Sequence, residues 1–138
     1  MRPMPSIVDA MTPFPHFIES SELLRSAINL MYAKDIRHLP VVTNGVVSGI
    51  LSDRDVKLTM AVIRNKKEQE ALRVSDVCVT EPYVVQHLEK LDIVARTMAE
   101  RHIGSALVTR DGKLVGIFTV TDATKRLAEL LKLHYPDA

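Results

Sequence analysis

Val47-Ser48-Gly49-Ile50-Leu51-Ser52-Asp53-Arg54-Asp55 and Leu114-Val115-Gly116-Ile117-Phe118-Thr119-Val120-Thr121-Asp122 are two versions of one pattern, 67 residues apart. Each passes from strand-like apolar residues through a glycine to a hydroxyl, and ends on an aspartate three positions after that hydroxyl. The same spacing links Gly45 with Gly112, Ile36 with Ile103, Met31 with Met98, and Asp9 with Asp76. A repeat this regular means two copies of one supersecondary unit. The seam between two such copies is a natural place for a ligand.

Upstream of each pattern lies a hairpin. Leu39-Pro40-Val41-Val42 reads as a strand, Asn44-Gly45 as its turn and residues 46–51 as the return strand. In the second copy Ala106-Leu107-Val108-Thr109, Asp111-Gly112 and residues 114–118 do the same. Asn-Gly and Asp-Gly suit type I′ turns, which need positive φ at both central residues. Pro40 has no amide hydrogen, so its strand is expected at an edge or with that amide position facing outward. Before each hairpin comes an amphipathic helix. Leu23, Leu24, Ala27, Ile28 and Met31 share one face, as do Leu91, Val94, Ala95 and Met98. These stripes read as core rather than as cofactor contacts. Ser20 or Ser21 is the expected N-cap of the first helix. A second helix starts near Asp55 and near Asp122, the first of them running toward Arg73. Residues 64–70 carry a charged stretch that fits a solvated helix face or linker. Each repeat opens with a short segment, Ile7-Val8-Asp9-Ala10-Met11-Thr12-Pro13 or Val74-Ser75-Asp76-Val77-Cys78-Val79-Thr80, read as a strand, so the order in each repeat is strand, helix, hairpin, helix. The reading is an α+β fold of two tandem repeats, residues 1–70 with a linker and residues 71–138. Each is a small sheet with flanking helices, related to the other by pseudo-two-fold symmetry.

Composition narrows the function classes. The chain has 138 residues, a net charge of +1 and 46% hydrophobic residues, with few aromatics and no Trp. That is enough for one compact module with an aliphatic core. Near-neutral charge gives no global reason to expect nucleic acid or membrane as partner. The single Cys78 excludes an internal disulfide and fits a reducing compartment. Residues 1–6 do not read as a signal peptide. No apolar run approaches the roughly 20 residues of a membrane-spanning helix. A soluble cytoplasmic protein is expected.

The hydroxyl-x-x-Asp ending is where chemistry could reside. It sets a hydroxyl at a strand end and a carboxylate at a helix start, where free backbone amides attract anions. A carboxylate can accept from both hydroxyls of a ribose, and Ser or Thr can reach sugar or phosphate. The same residues are also good helix caps, and duplication copies caps as faithfully as it copies sites.

With Ile36-Arg37-His38-Leu39-Pro40-Val41-Val42 and Asp9-Ala10-Met11-Thr12-Pro13 added, the two patterns resemble the cystathionine-β-synthase (CBS) domain over roughly residues 6–133. The resemblance implies a tandem pair, a Bateman module, that binds adenosine-containing ligands in clefts between its halves. On that pattern Ser52 with Asp55, and Thr119 with Asp122, face ribose and phosphate. Ile36, Arg37 and His38, and Ile103, Gly104 and Ser105, flank the base. Two departures stand out: Cys78 takes the place of the opening Met, and Gly104-Ser105-Ala106-Leu107 replaces Arg37-His38-Leu39-Pro40. Arg54 opposite Thr121, and Arg37 opposite Gly104, give the first half two positive charges that the second lacks. Arg binds phosphate through two oxygens at once, so unequal preferences for phosphorylated ligands are expected.

Other conspicuous residues have plain readings. Cys78 is expected to be a buried thiol rather than a nucleophile. The five histidines lack metal-ligand spacing. Asp53 with Asp55 could hold magnesium through a bound phosphate, but Val120 replaces Asp53 in the second copy, and no metal site is expected. The favoured function is a regulatory module that senses an adenine nucleotide (AMP, ADP or ATP) or S-adenosylmethionine, without catalysis and with no required cofactor. It is expected to form a homodimer and to signal to an unidentified target protein. The alternative is a structural or protein-interaction module of the same fold with no physiological nucleotide. A nucleic-acid binder has only weak basic clusters, Arg64 to Lys67, Arg101-His102 and Lys125-Arg126, in its favour.

Overall fold

The computed structural model describes residues 2–137. Along the chain come a 3₁₀ turn (Ile7–Asp9), β1 (Thr12–Pro13), β2 (Ile18–Glu19), α1 (Leu24–Lys34), β3 (His38–Thr43), β4 (Val46–Ser52), α2 (Asp53–Val62), α3 (Lys66–Ala71) and α4 (Val74–Val77). Then follow β5 (Val84–Gln86), α5 (Leu91–Arg101), β6 (Ser105–Arg110), β7 (Lys113–Thr119) and α6 (Val120–His134). The α+β class read from the sequence is what is found.

Both hairpins form as the turn residues dictate. Asn44 and Asp111 take φ of 52° and 51°, and the glycines after them 81° and 76°. β3 pairs with β4 and β6 with β7, each antiparallel, with a register shift at Val41/Val42 and at Val108/Thr109. Most of each helical stripe is core: Leu24, Ala27 and Met31 are buried on α1, Val94 and Met98 on α5, and Ile28 and Leu91 pack partly buried against them, whereas Leu23 precedes α1 and is exposed.

Packing divides the chain into two units, and the division does not follow the sequence repeats. One unit is Pro15–Pro82; the other joins the chain up to Phe14 to the chain from Tyr83 onward. The first holds the sheet β2-β3-β4 and the second the sheet β1-β7-β6-β5. Each unit therefore takes its opening segment from the other repeat. Val74, from the start of repeat two, is fully buried with Leu24, Leu39 and Leu51. Ile7, from the start of repeat one, is fully buried with Val94, Ala106 and Phe118.

Two glycines explain how the opening segments fit. Val79 and Ile50 exchange backbone hydrogen bonds of 2.9 and 3.0 Å, and a Cβ on Gly49 would lie 2.7 Å from the Val79 carbonyl oxygen. In the other unit Pro13 pairs with Gly116, where a Cβ would fall on Met11 Sδ. The repeated glycine leaves room for a strand laid flat against the hairpin.

Several expectations are corrected. Neither Ser20 nor Ser21 caps α1. Its N-cap is Leu23, with no side-chain bond, and the Leu24 amide donates to the Leu72 carbonyl at 2.8 Å. A backbone carbonyl does the work of a cap, and the Ser20 hydroxyl bonds Thr43 instead. Pro40 is not on an edge strand, because β3 lies between β2 and β4. The missing amide hydrogen shortens the parallel ladder instead. Leu107, the counterpart of Pro40, donates to Tyr83 at 2.8 Å, so β5 pairs from Val84, whereas β2 pairs with β3 only from Ile18 opposite Val41. The helix after Asp55 does not reach Arg73. It stops at Val62, and Asn65 caps a separate α3 by accepting from the Glu68 amide at 3.1 Å. The opening segments begin as single helical turns, Ile7–Asp9 and Val74–Val77, rather than as strands, and only the first continues into a strand, β1; the short strands β2 and β5 come after these segments.

Candidate ligand-binding junctions

The first junction is the passage from β4 into α2. Ser52 keeps extended backbone, and its Oγ accepts from the Asp55 amide at 3.1 Å. Buried Val56 anchors α2 to the core below. Pairing sets His38 opposite Ser52, and the Asp53 amide donates to the Arg37 carbonyl at 2.8 Å. The loop before β3 and the start of α2 are thereby locked together. The Asp53 carboxylate takes Lys57 at 2.9 Å and Arg37 at 3.8 Å. Among the described residues, none donates to the Asp55 carboxylate. Burial holds the His38 imidazole below its ordinary pKa, against the opposing pull of the nearby Asp55 charge. His38 and Asp55 are both half-buried, Arg37 and Arg54 are exposed, and Ile36 packs against the core.

The second junction, from β7 into α6, repeats the backbone but not the side-chain state. Thr119 Oγ accepts from the Asp122 amide at 3.2 Å. Here the carboxylate closes the box: Asp122 Oδ2 accepts from the Thr119 amide at 2.9 Å and the Thr119 hydroxyl at 3.1 Å. Its Oδ1 accepts from the Thr12 hydroxyl at 3.1 Å. Ser105 lies opposite Thr119 in the ladder, and the Val120 amide donates to the Gly104 carbonyl at 3.1 Å. Thr121 is exposed, and Ile103 packs against the core. A small open recess beside Asp122 is lined by Asp9, Ala10, Lys125, Arg126 and Glu129.

Each junction thus gathers its hydroxyl, its aspartate and the backbone of its pre-strand loop. Sequence reasoning did not single out Thr12. The available signal was its counterpart: 67 residues on stands Val79, which has no hydroxyl. Cys78 packs against the core of its unit, and burial pushes its thiol pKa up, the opposite of what a nucleophile needs. Among the described residues no group of His, Cys, Asp and Glu is arranged to hold a metal ion.

The pattern of the CBS domain matches this chain twice, over residues 7–61 and 74–129. The chain belongs to the CBS domain family. The CBS domain-containing protein YhcV of Bacillus subtilis is 30% identical over 86% of this chain and 83% of its own length. A homoserine O-acetyltransferase of Methanocorpusculum labreanum is 29% identical over 92% of this chain, which spans only 25% of that protein. Among solved structures, the acetoin utilization candidate AcuB from Vibrio cholerae is 31% identical, with a TM-score of 0.83 and 99% of each chain covered. CBSX2, solved in complex with AMP, is 26% identical with a TM-score of 0.76, covering 91% of this chain and 98% of its own. The CBS domain pair of protein MJ0100, solved with 5′-methylthioadenosine and S-adenosyl-L-methionine, shares the fold. Its TM-score is 0.81 at 22% identity, covering 93% of this chain and 99% of its own.

Proposed function

We propose that this CBS pair is a non-catalytic regulatory module that senses an adenosine-containing ligand of the AMP, ADP or ATP type, or S-adenosylmethionine. The carrying observation is the first junction, where a carboxylate with no described donor stands beside a strand-end hydroxyl at the start of a helix. A ribose diol supplies two O–H donors to such a carboxylate, and the helix amides and Arg54 suit a phosphate. CBSX2, solved with AMP, supports the ligand class. Ser52, Arg54, Asp55 and the loop residues Ile36, Arg37 and His38 are the proposed contacts in one half. Thr119, Thr121, Asp122, Ile103, Gly104 and Ser105 are their counterparts. The repeats, residues 1–70 and 71–138, would act together as one module in the cytoplasm, with no required cofactor.

A screen of thermal stability with AMP, ADP, ATP and S-adenosylmethionine tests the reading. A true ligand stabilises by mass action, by about 2.7 kcal/mol at a hundredfold excess over its dissociation constant. No shift with any of them at millimolar concentration would move the assignment to a protein-interaction module. That second reading has its own support in α6, on which Leu127, Leu130, Leu131 and Leu133 are all exposed. The same stripe is the proposed surface for a homodimer or a target protein.

A further inference from the structure

We propose that Thr12 holds the second junction closed, so that the Ser52–Asp55 junction is the one that takes the ligand and each chain binds one adenosyl molecule tightly. The inference rests on the adenosyl reading above and adds stoichiometry and a specificity-determining residue to it.

The argument is a count of acceptor positions. A carboxylate offers about four lone-pair sites, and gripping a ribose diol takes both oxygens. At Asp122 three donors are already in place: Thr12 on Oδ1, and the Thr119 amide and hydroxyl on Oδ2. Neither oxygen is free of a protein donor. At Asp55 no described residue donates to either oxygen. Two of the three donors come from Thr119, whose counterpart Ser52 does not turn its own donors on Asp55; the third, on Oδ1, traces to a side chain that the first junction lacks. Thr12 pairs with Ile117 in one unit as Val79 bridges to Ile50 in the other. The backbone arrives at both junctions in the same way. One copy presents a hydroxyl and the other a methyl of nearly the same shape, so only at the second junction is the aspartate's other oxygen taken by the opening segment.

The test is calorimetric titration of wild type, Thr12→Val, Val79→Thr, Asp55→Ala and Asp122→Ala with AMP, and with ADP, ATP and S-adenosylmethionine where AMP does not bind, with circular dichroism to confirm folding. Wild type is expected to show one tight site per chain, lost in Asp55→Ala. Thr12→Val removes one competing hydrogen bond and should tighten a second site by roughly tenfold, equivalent to about 1.4 kcal/mol. The reciprocal Val79→Thr should weaken the first site by a similar factor. Two equal sites in wild type, loss of the single site in Asp122→Ala, or no effect of either swap would overturn the proposal while leaving adenosyl binding intact. No binding by any variant, of AMP, ADP, ATP or S-adenosylmethionine, would overturn both.

Discussion

Gly49→Ala should be the more damaging of two substitutions that look identical in sequence, the other being Gly116→Ala. At Gly49 the added methyl would lie 2.7 Å from the Val79 carbonyl oxygen, 3.1 Å from Cys78 Sγ and 3.6 Å from Val41 Cβ. The nearest atom is backbone, held by the reciprocal bonds between Ile50 and Val79. Relief requires Val79 to move away and stretch both. Overpacking of this kind costs about 1–3 kcal/mol, and weakening two backbone hydrogen bonds adds up to about 1 kcal/mol each. We expect roughly 2–4 kcal/mol for Gly49→Ala. At Gly116 the obstructing atoms all belong to the Met11 side chain, which is unbranched and can swing aside. There the loss should stay near 1 kcal/mol. Urea unfolding followed by far-UV circular dichroism measures both. Adding Cys78→Ala to Gly49→Ala should recover less than half of the loss, because the carbonyl and not the thiol sets the clash. A Gly49→Ala protein within about 0.5 kcal/mol of wild type, or one no worse than Gly116→Ala, would refute the reasoning.

Other outcomes follow from the same geometry. Burial lowers the His38 pKa, so the unfolded chain binds its proton first as the medium acidifies. Stability should therefore fall as pH drops below the ordinary imidazole value of about 6.5. Denaturation midpoints between pH 7.5 and 5 should show a shallower slope in His38→Gln; an unchanged slope counts against the burial argument. Ser52→Ala removes the acceptor for the Asp55 amide and should cost about 1 kcal/mol of stability, together with weaker AMP binding. A loss of stability with unchanged binding would make Ser52 a cap only. Light scattering at tens of micromolar is expected to give twice the 15.4 kDa chain mass, and Leu130→Asp on the exposed face of α6 should shift it toward the monomer. A wild-type particle of monomer mass refutes self-association.

Whatever depends on neighbours along the chain is legible in the residues alone. The hairpins follow from Asn44-Gly45 and Asp111-Gly112, since few residues tolerate two positive φ values in succession. The faces of α1 and α5 follow from apolar spacing, and the two junctions from a hydroxyl-x-x-Asp pattern that is a good cap wherever it occurs. Tertiary structure decided what depends on the partner. Ile7 and Val74 hold equivalent places in two repeats that share one apolar pattern, so the pattern fits either core. Only folding showed each packed in the unit built on the other repeat. The start of α1 escapes local pattern for the same reason: the group that meets the Leu24 amide is a carbonyl from Leu72, far along the chain. Pro40 removes one amide hydrogen, but whether that makes an edge or shortens a neighbour depends on where β2 lies. The candidate site shows the limit most sharply. Asp55 and Asp122 are equivalent in sequence, and the Thr12 hydroxyl that occupies Oδ1 of only the second arrives from 110 residues away. Local pattern fixes backbone geometry because it acts through adjacent dihedral angles. Whether a carboxylate is satisfied or free depends on which distant side chain comes to rest against it.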